Sequence, residues 1–69
     1  MGDPRLGSRL KDVRTAAGLT QQGLADLAGV SRKTINTVEN GVFIPSTLLA
    51  LDLARALETT VEDLFFLKD

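Results

Sequence analysis

The sequence contains no cysteine and no histidine. Their absence removes thiol nucleophiles, disulfides, imidazole bases and nearly every zinc or iron site, so no metal and no other cofactor is expected. No apolar run approaches the roughly 18 residues of a membrane span, and the opening stretch MGDPRLGSRL lacks the apolar centre of a signal peptide. A cytoplasmic protein with no membrane association is the expectation. With 69 residues, the chain should form one domain over 1–69, ordered from about 5 to 67. A domain this small buries only about 60% of its unfolded surface, so modest stability is expected.

Charge is scarce in net terms, −1 overall, but it is unevenly spread. Residues 1–37 carry Arg5, Arg9, Lys11, Arg14, Arg32 and Lys33 against Asp3, Asp12 and Asp26, a net +3, whereas residues 38–69 carry a net −4. The basic half can face phosphates while the acidic half points away. On charge alone, an ordinary mixed surface with accidental segregation is an equal alternative.

The apolar spacing predicts an all-α chain of five helices. Pro4 suits the first turn of a helix, and Leu6, Leu10, Val13 and Ala17 recur at helical spacing, so the first helix should run to about Ala17 and end at Gly18. Residues 1–3 should fray. Ser46 caps a fourth helix whose inward face is expected to include Leu48, Leu51, Ala54 and Leu57, and Thr60 with Asp63 resembles a capping box for a fifth helix, VEDLFFL.

Between them lies TQQGLADLAGVSRKTINTVENG, Thr20 to Gly41. Leu24, Ala25, Leu27, Ala28, Val30, Ile35 and Val38 follow a helical period that breaks at Gly29 and restarts after Ser31, an N-cap candidate. Two short helices joined by a tight turn follow: a helix-turn-helix. Ile35 and Val38 share one face of the second helix, which leaves Arg32, Lys33, Asn36 and Thr37 on the other. Arg and Lys can donate to guanine O6 and N7, Asn can pair bidentately with adenine, and a Thr methyl can meet the thymine methyl. Those four are therefore base-reading candidates. Gln21 and Ser31 are candidates for phosphate contact, and Arg14 with Glu39 could form an ion pair tying the first helix to the third.

Gln21 to Gly41, with Pro45-Ser46 and LARAL at 53–57, resembles the phage-repressor/Cro type of helix-turn-helix, the XRE family, and the run G-V-S-R-x-T-I-N-x-x-E-N-G carries the likeness. The resemblance covers about Leu6 to Phe65. It implies a compact five-helix, lambda-repressor-like domain, with the motif at its second and third helices, that binds double-stranded operator DNA as a homodimer and regulates transcription. Position by position, it implies phosphate contact for Gln21 and Asn40, base reading for Arg32, Lys33 and Thr37, and a structural ion pair for Arg14 and Glu39.

Three departures from that pattern bear on partners. The loop after Gly41 is apolar, VFI, where the family commonly carries Lys or Arg, and Glu58 stands where Gly commonly ends the fourth helix. No appended sensor or long dimerisation segment is expected, so any dimer should use the domain itself, through Phe43 and Ile44 or through Phe66 and Leu67; alternatively, Phe66 and Leu67 wrap back onto the first helix. The rival expectation is a protein-interaction module, such as an antitoxin-like or adaptor subunit or one that meets a co-regulator, with DNA contact secondary. Catalysis is the weakest option, because the carboxylates Glu58, Glu62 and Asp63 beside a helix start are explained by capping.

Overall fold

A computed structural model describes residues 2–68. Along the chain lie β1 (Leu6–Ser8), α1 (Leu10–Ala16), α2 (Gln21–Ala28), α3 (Arg32–Glu39), α4 (Thr47–Ala56), α5 (Val61–Leu64) and β2 (Phe65–Leu67). The five helices are those expected; the two strands are not. Leu6 pairs with Leu67, Gly7 with Phe66 and Ser8 with Phe65 in an antiparallel ribbon that fastens the two ends of the chain together.

The ribbon corrects the expected helix boundaries. Pro4 starts no helix, α1 begins only at Leu10, and α5 stops at Leu64, where Phe65 turns to extended backbone. Arg9 N–H donates to the Leu64 carbonyl at 2.8 Å and Lys68 N–H to the Arg5 carbonyl at 2.8 Å, so the pairing continues past both strands. Helical spacing of apolar residues could not reveal this, because the partner strand is almost the whole chain away. Residues 2 and 3 are held as well: a Cβ on Gly2 would overlap the Gly41 carbonyl, and Asp3 accepts from the Arg5 backbone N–H at 2.9 Å. Met1 lies outside the described residues.

The helix starts follow the sequence closely. Thr20, Ser31, Ser46 and Thr60 each accept, through the side-chain oxygen, the backbone N–H three residues on, a contribution of about 1 kcal/mol apiece. The reciprocal half of the box at α5 is altered, since Asp63 Oδ2 accepts from the Thr59 hydroxyl at 2.7 Å. That bond, with the one from Thr60, holds the Asp63 carboxyl below the usual carboxylate range.

Inside, Leu10, Leu24, Ile35, Val38, Leu53 and Leu64 are the largest fully buried side chains, and every helix supplies at least one. Each is worth about 1.5–3 kcal/mol for leaving water. Three leucines assigned inward by sequence are outside instead: Leu27 is 62% exposed, Leu48 70% and Leu51 54%. On α4 the buried residues are Leu49, Ala50, Leu53 and Ala54. At about 100° per residue those four define one arc, and Leu48 and Leu51 fall well outside it. A helix that is apolar nearly all round gives no phase of its own, so packing chose it. Ala17, the last member of the first stripe, is likewise exposed.

Four helices close with one motif. Gly18, Gly29, Gly41 and Glu58 occupy the same left-handed position, at φ 76°, 72°, 73° and 54°, and the next residue's N–H donates back to the Arg14, Ala25, Thr37 and Ala54 carbonyls respectively, at 3.1, 3.0, 2.9 and 2.9 Å. Glu58 alone has a side chain there, at a cost of about 1 kcal/mol.

One charged pair lies within the fold. Arg14 Nε donates to Glu39 Oε2 at 2.6 Å and its terminal nitrogens donate to Glu39 Oε1 at 3.2 Å and to the Leu19 carbonyl at 2.8 Å. The side chains are 9% and 2% exposed. The hydrogen bond to Glu39 raises the Arg14 pKa further above its already high ordinary value, burial opposing it. The pair joins α1, the α1–α2 turn and α3.

Two stability outcomes are expected. Replacing Glu58 by Gly should stabilise the protein by about 1 kcal/mol, read as a rise of about 4–8 °C in melting midpoint. Glu39→Ala should cost about 3 kcal/mol in urea denaturation, because it strands the Arg14 guanidinium without its partner; a loss below about 1 kcal/mol would show the pair to be dispensable.

Candidate nucleic-acid interface

The unit α2–turn–α3 is built by two local devices. Gly29 adopts φ 72° at the end of α2, letting Val30 N–H return to the Ala25 carbonyl at 3.0 Å, and the Ser31 hydroxyl then accepts the Thr34 N–H at 3.1 Å to start α3. Ile35 and Val38 anchor α3 in the core. Its outer surface is consequently polar.

Among the expected base-reading residues, Arg32, Lys33 and Asn36 are exposed, and the two cations stand in the first turn of α3. Thr37 differs: it is half-buried, its hydroxyl donates to the Thr34 carbonyl at 2.9 Å, and its own carbonyl accepts from Val42 and Phe43. Of the expected phosphate residues, Asn40 is exposed at the C-cap of α3, and Ser31 is exposed but commits its hydroxyl to the cap. Gln21 is half-buried at the first position of α2.

These side chains form one hydrogen-bonded chain that sequence inspection did not reveal. Gln21 Nε2 donates to Glu39 Oε1 at 3.1 Å and to Asn36 Oδ1 at 3.2 Å, Asn40 Nδ2 donates to that same Asn36 oxygen at 3.1 Å, and Arg32 donates to Gln21 Oε1 at 3.3 Å. The ion pair below the surface is thus wired to the polar face above it. One signal was available: Asn36 and Asn40 are four apart, a spacing that places two amides side by side on a helix. The link from Gln21 to Asn36 spans the turn and had no such signal. Electrostatically, the face is cationic, since the carboxylate on α3, Glu39, is turned to Arg14.

The expected partner-facing residues divide. Phe43 and Ile44 are 42% and 45% exposed, and Leu67 is 67% exposed. Phe66 is half-buried: the Arg9 guanidinium carbon lies 4.1 Å from its ring centroid, and a Cβ on Gly7 would overlap the ring. Its ring is therefore engaged within the chain, against β1 and Arg9 rather than α1, while Leu67 does not fold back with it.

Comparison with known proteins bears on the same elements. A helix-turn-helix family model, HTH_3, matches residues 10–64, α1 through α5. An uncharacterised HTH-type transcriptional regulator of Bacillus subtilis, YgzD, is 36% identical over 62 residues, covering 90% of this chain and 94% of its own. An uncharacterised HTH-type regulator of Archaeoglobus fulgidus is 40% identical over 62 residues, covering 90% and 89%. Among solved structures, the restriction-modification controller protein C.AhdI of Aeromonas hydrophila superposes with a TM-score of 0.77 at 40% identity, over 80% of this chain and 83% of that one. With the motif, the caps and the polar face in place, the chain belongs to the HTH_3, or XRE, family of helix-turn-helix DNA-binding transcriptional regulators.

Proposed function

We propose that this regulator binds a near-palindromic operator as a homodimer, placing α3 in the major groove of each half-site about one helical turn apart. Arg32 and Lys33 lead the contact with base edges, joined by Asn36 and by Thr37 at the groove-facing margin. Gln21, Ser31 and Asn40 meet phosphates on either side. The observation that carries the proposal is the exposed, cationic first turn of α3, held in place from below by the Gln21–Glu39–Arg14 connection.

The dimer is assigned to the apolar surface around Ile44 and Leu51. Those two residues, with Leu6, Pro45, Ala50 and Phe65, line a shallow groove of about 240 Å³. Two copies placing their Leu51 side chains in each other's groove would make a self-complementary contact of the kind a two-fold axis requires. Phe43, Phe66 and Leu67 lie outside the groove lining.

Two measurements test this. An Arg32→Ala, Lys33→Ala variant should lose on the order of a hundredfold in affinity for a selected operator while keeping a salt-dependent residue of non-specific binding; unchanged selectivity would refute base reading by Arg32 and Lys33. Leu51→Glu should leave the helical spectrum intact and convert a dimer to a monomer in sedimentation equilibrium. Recovery of a stoichiometric foreign protein, with no salt-dependent DNA retention, would instead favour the adaptor role.

A further inference from the structure

The donors and acceptors on the polar face have their sense set from the core outward. Glu39 forms its ion pair with Arg14, 2.6 Å away, and a carboxylate only accepts. The Gln21 amide must then turn its amino group to Glu39, at 3.1 Å. That leaves the Gln21 carbonyl facing Arg32, which only donates, at 3.3 Å. Both ends of the Gln21 amide demand the same orientation.

The consequence passes to Asn36. Gln21 Nε2 reaches Asn36 at 3.2 Å and Asn40 Nδ2 reaches it at 3.1 Å, both at Oδ1. A carbonyl oxygen has two lone pairs, and both are taken. Turning the Asn36 amide over would set three amino groups against one another. Asn36 therefore shows solvent an amino group, Nδ2, with no protein partner among the described residues.

An Asn that reads adenine needs both of its functions, the amino group for N7 and a free carbonyl for the N6 amino group. Here the carbonyl is spent. Guanine offers two acceptors, N7 and O6, on its major-groove edge, whereas the adenine N6 amino group would meet the Asn36 amino group head on. We infer that Asn36 is a donor-only specificity residue that selects guanine over adenine at one position of each half-site. The inference rests on α3 lying in the major groove, as proposed above.

Site selection from random DNA with the full chain and with Asn36→Ala tests it. The wild type should select guanine at one position per half-site, and Asn36→Ala should lose that preference while retaining the remainder of the site. Substituting 7-deazaguanine there should weaken the wild type about tenfold and Asn36→Ala less than about twofold. Asn40→Ala returns one lone pair to Asn36 and should raise the adenine-to-guanine ratio at that position. Selection of adenine by the wild type, with sensitivity to loss of its N6 amino group, overturns the assignment, as does an Asn36→Ala protein weakened equally on every sequence, the signature of a phosphate contact. Arg32→Ala, Lys33→Ala separates the two claims. If that variant keeps full selectivity, base reading led by Arg32 and Lys33 has failed; if it loses selectivity while Asn36→Ala selects an unchanged site, only the Asn36 assignment has failed.

Discussion

Arg14 and Glu39 impose the constraint on which the arrangement of this molecule depends. Two opposite charges 2.6 Å apart and nearly out of water are tolerable only when each finds its partner and its remaining hydrogen bonds. Arg14 meets that demand with Glu39 and the Leu19 carbonyl, and Glu39 meets it with Arg14 and Gln21. Every one of those groups sits on a different element: α1, the turn after it, α3 and the start of α2. A shift of α3 by even part of a turn would break bonds that cannot be replaced inside the protein. The angle at which the outer face of α3 is presented is thus a by-product of satisfying a buried charge.

The same wiring makes the polar face less free than a row of exposed side chains would be. Arg32 and Lys33 stand at the start of α3, but Arg32 is steadied by Gln21, and Asn36 is fastened by Gln21 and Asn40. Side chains already held in place lose less rotamer entropy on meeting a ligand. They also lose versatility, since an amide whose carbonyl is occupied has half of its usual vocabulary.

The remainder of the fold closes around this head. Four hydroxyl caps start helices, four left-handed residues end them, and the β1–β2 ribbon joins the chain ends. Against that economy, Ile44, Leu48 and Leu51 stay exposed. Glu58, in a conformation that disfavours its side chain, is a second local cost. Apolar exposure of this extent on a small domain is informative about association rather than about folding.

How much was legible beforehand depends on how local the cause was. Caps at Ser31, Ser46 and Thr60, the turn at Gly29 and the inward positions Leu24, Ile35 and Val38 are set by interactions within a few residues, and they stand where residue chemistry put them. The Arg14–Glu39 pair, 25 residues apart, was foreseeable because both sit beside apolar stripes, and its charges could only be buried together. Three features were beyond sequence reading. The strand pairing of residues 6–8 with 65–67 needs the two ends to meet; the phase of α4 needs a neighbour to choose among apolar faces; and the orientation of the Asn36 amide needs Gln21, which is oriented in turn by Glu39. The sequence by itself determined the motif and the chemistry of its outer face, because those follow from spacing along a single helix. Only the tertiary structure decided which atoms of that face remain unspent, because a hydrogen bond between distant residues consumes a donor and an acceptor that composition counts as free.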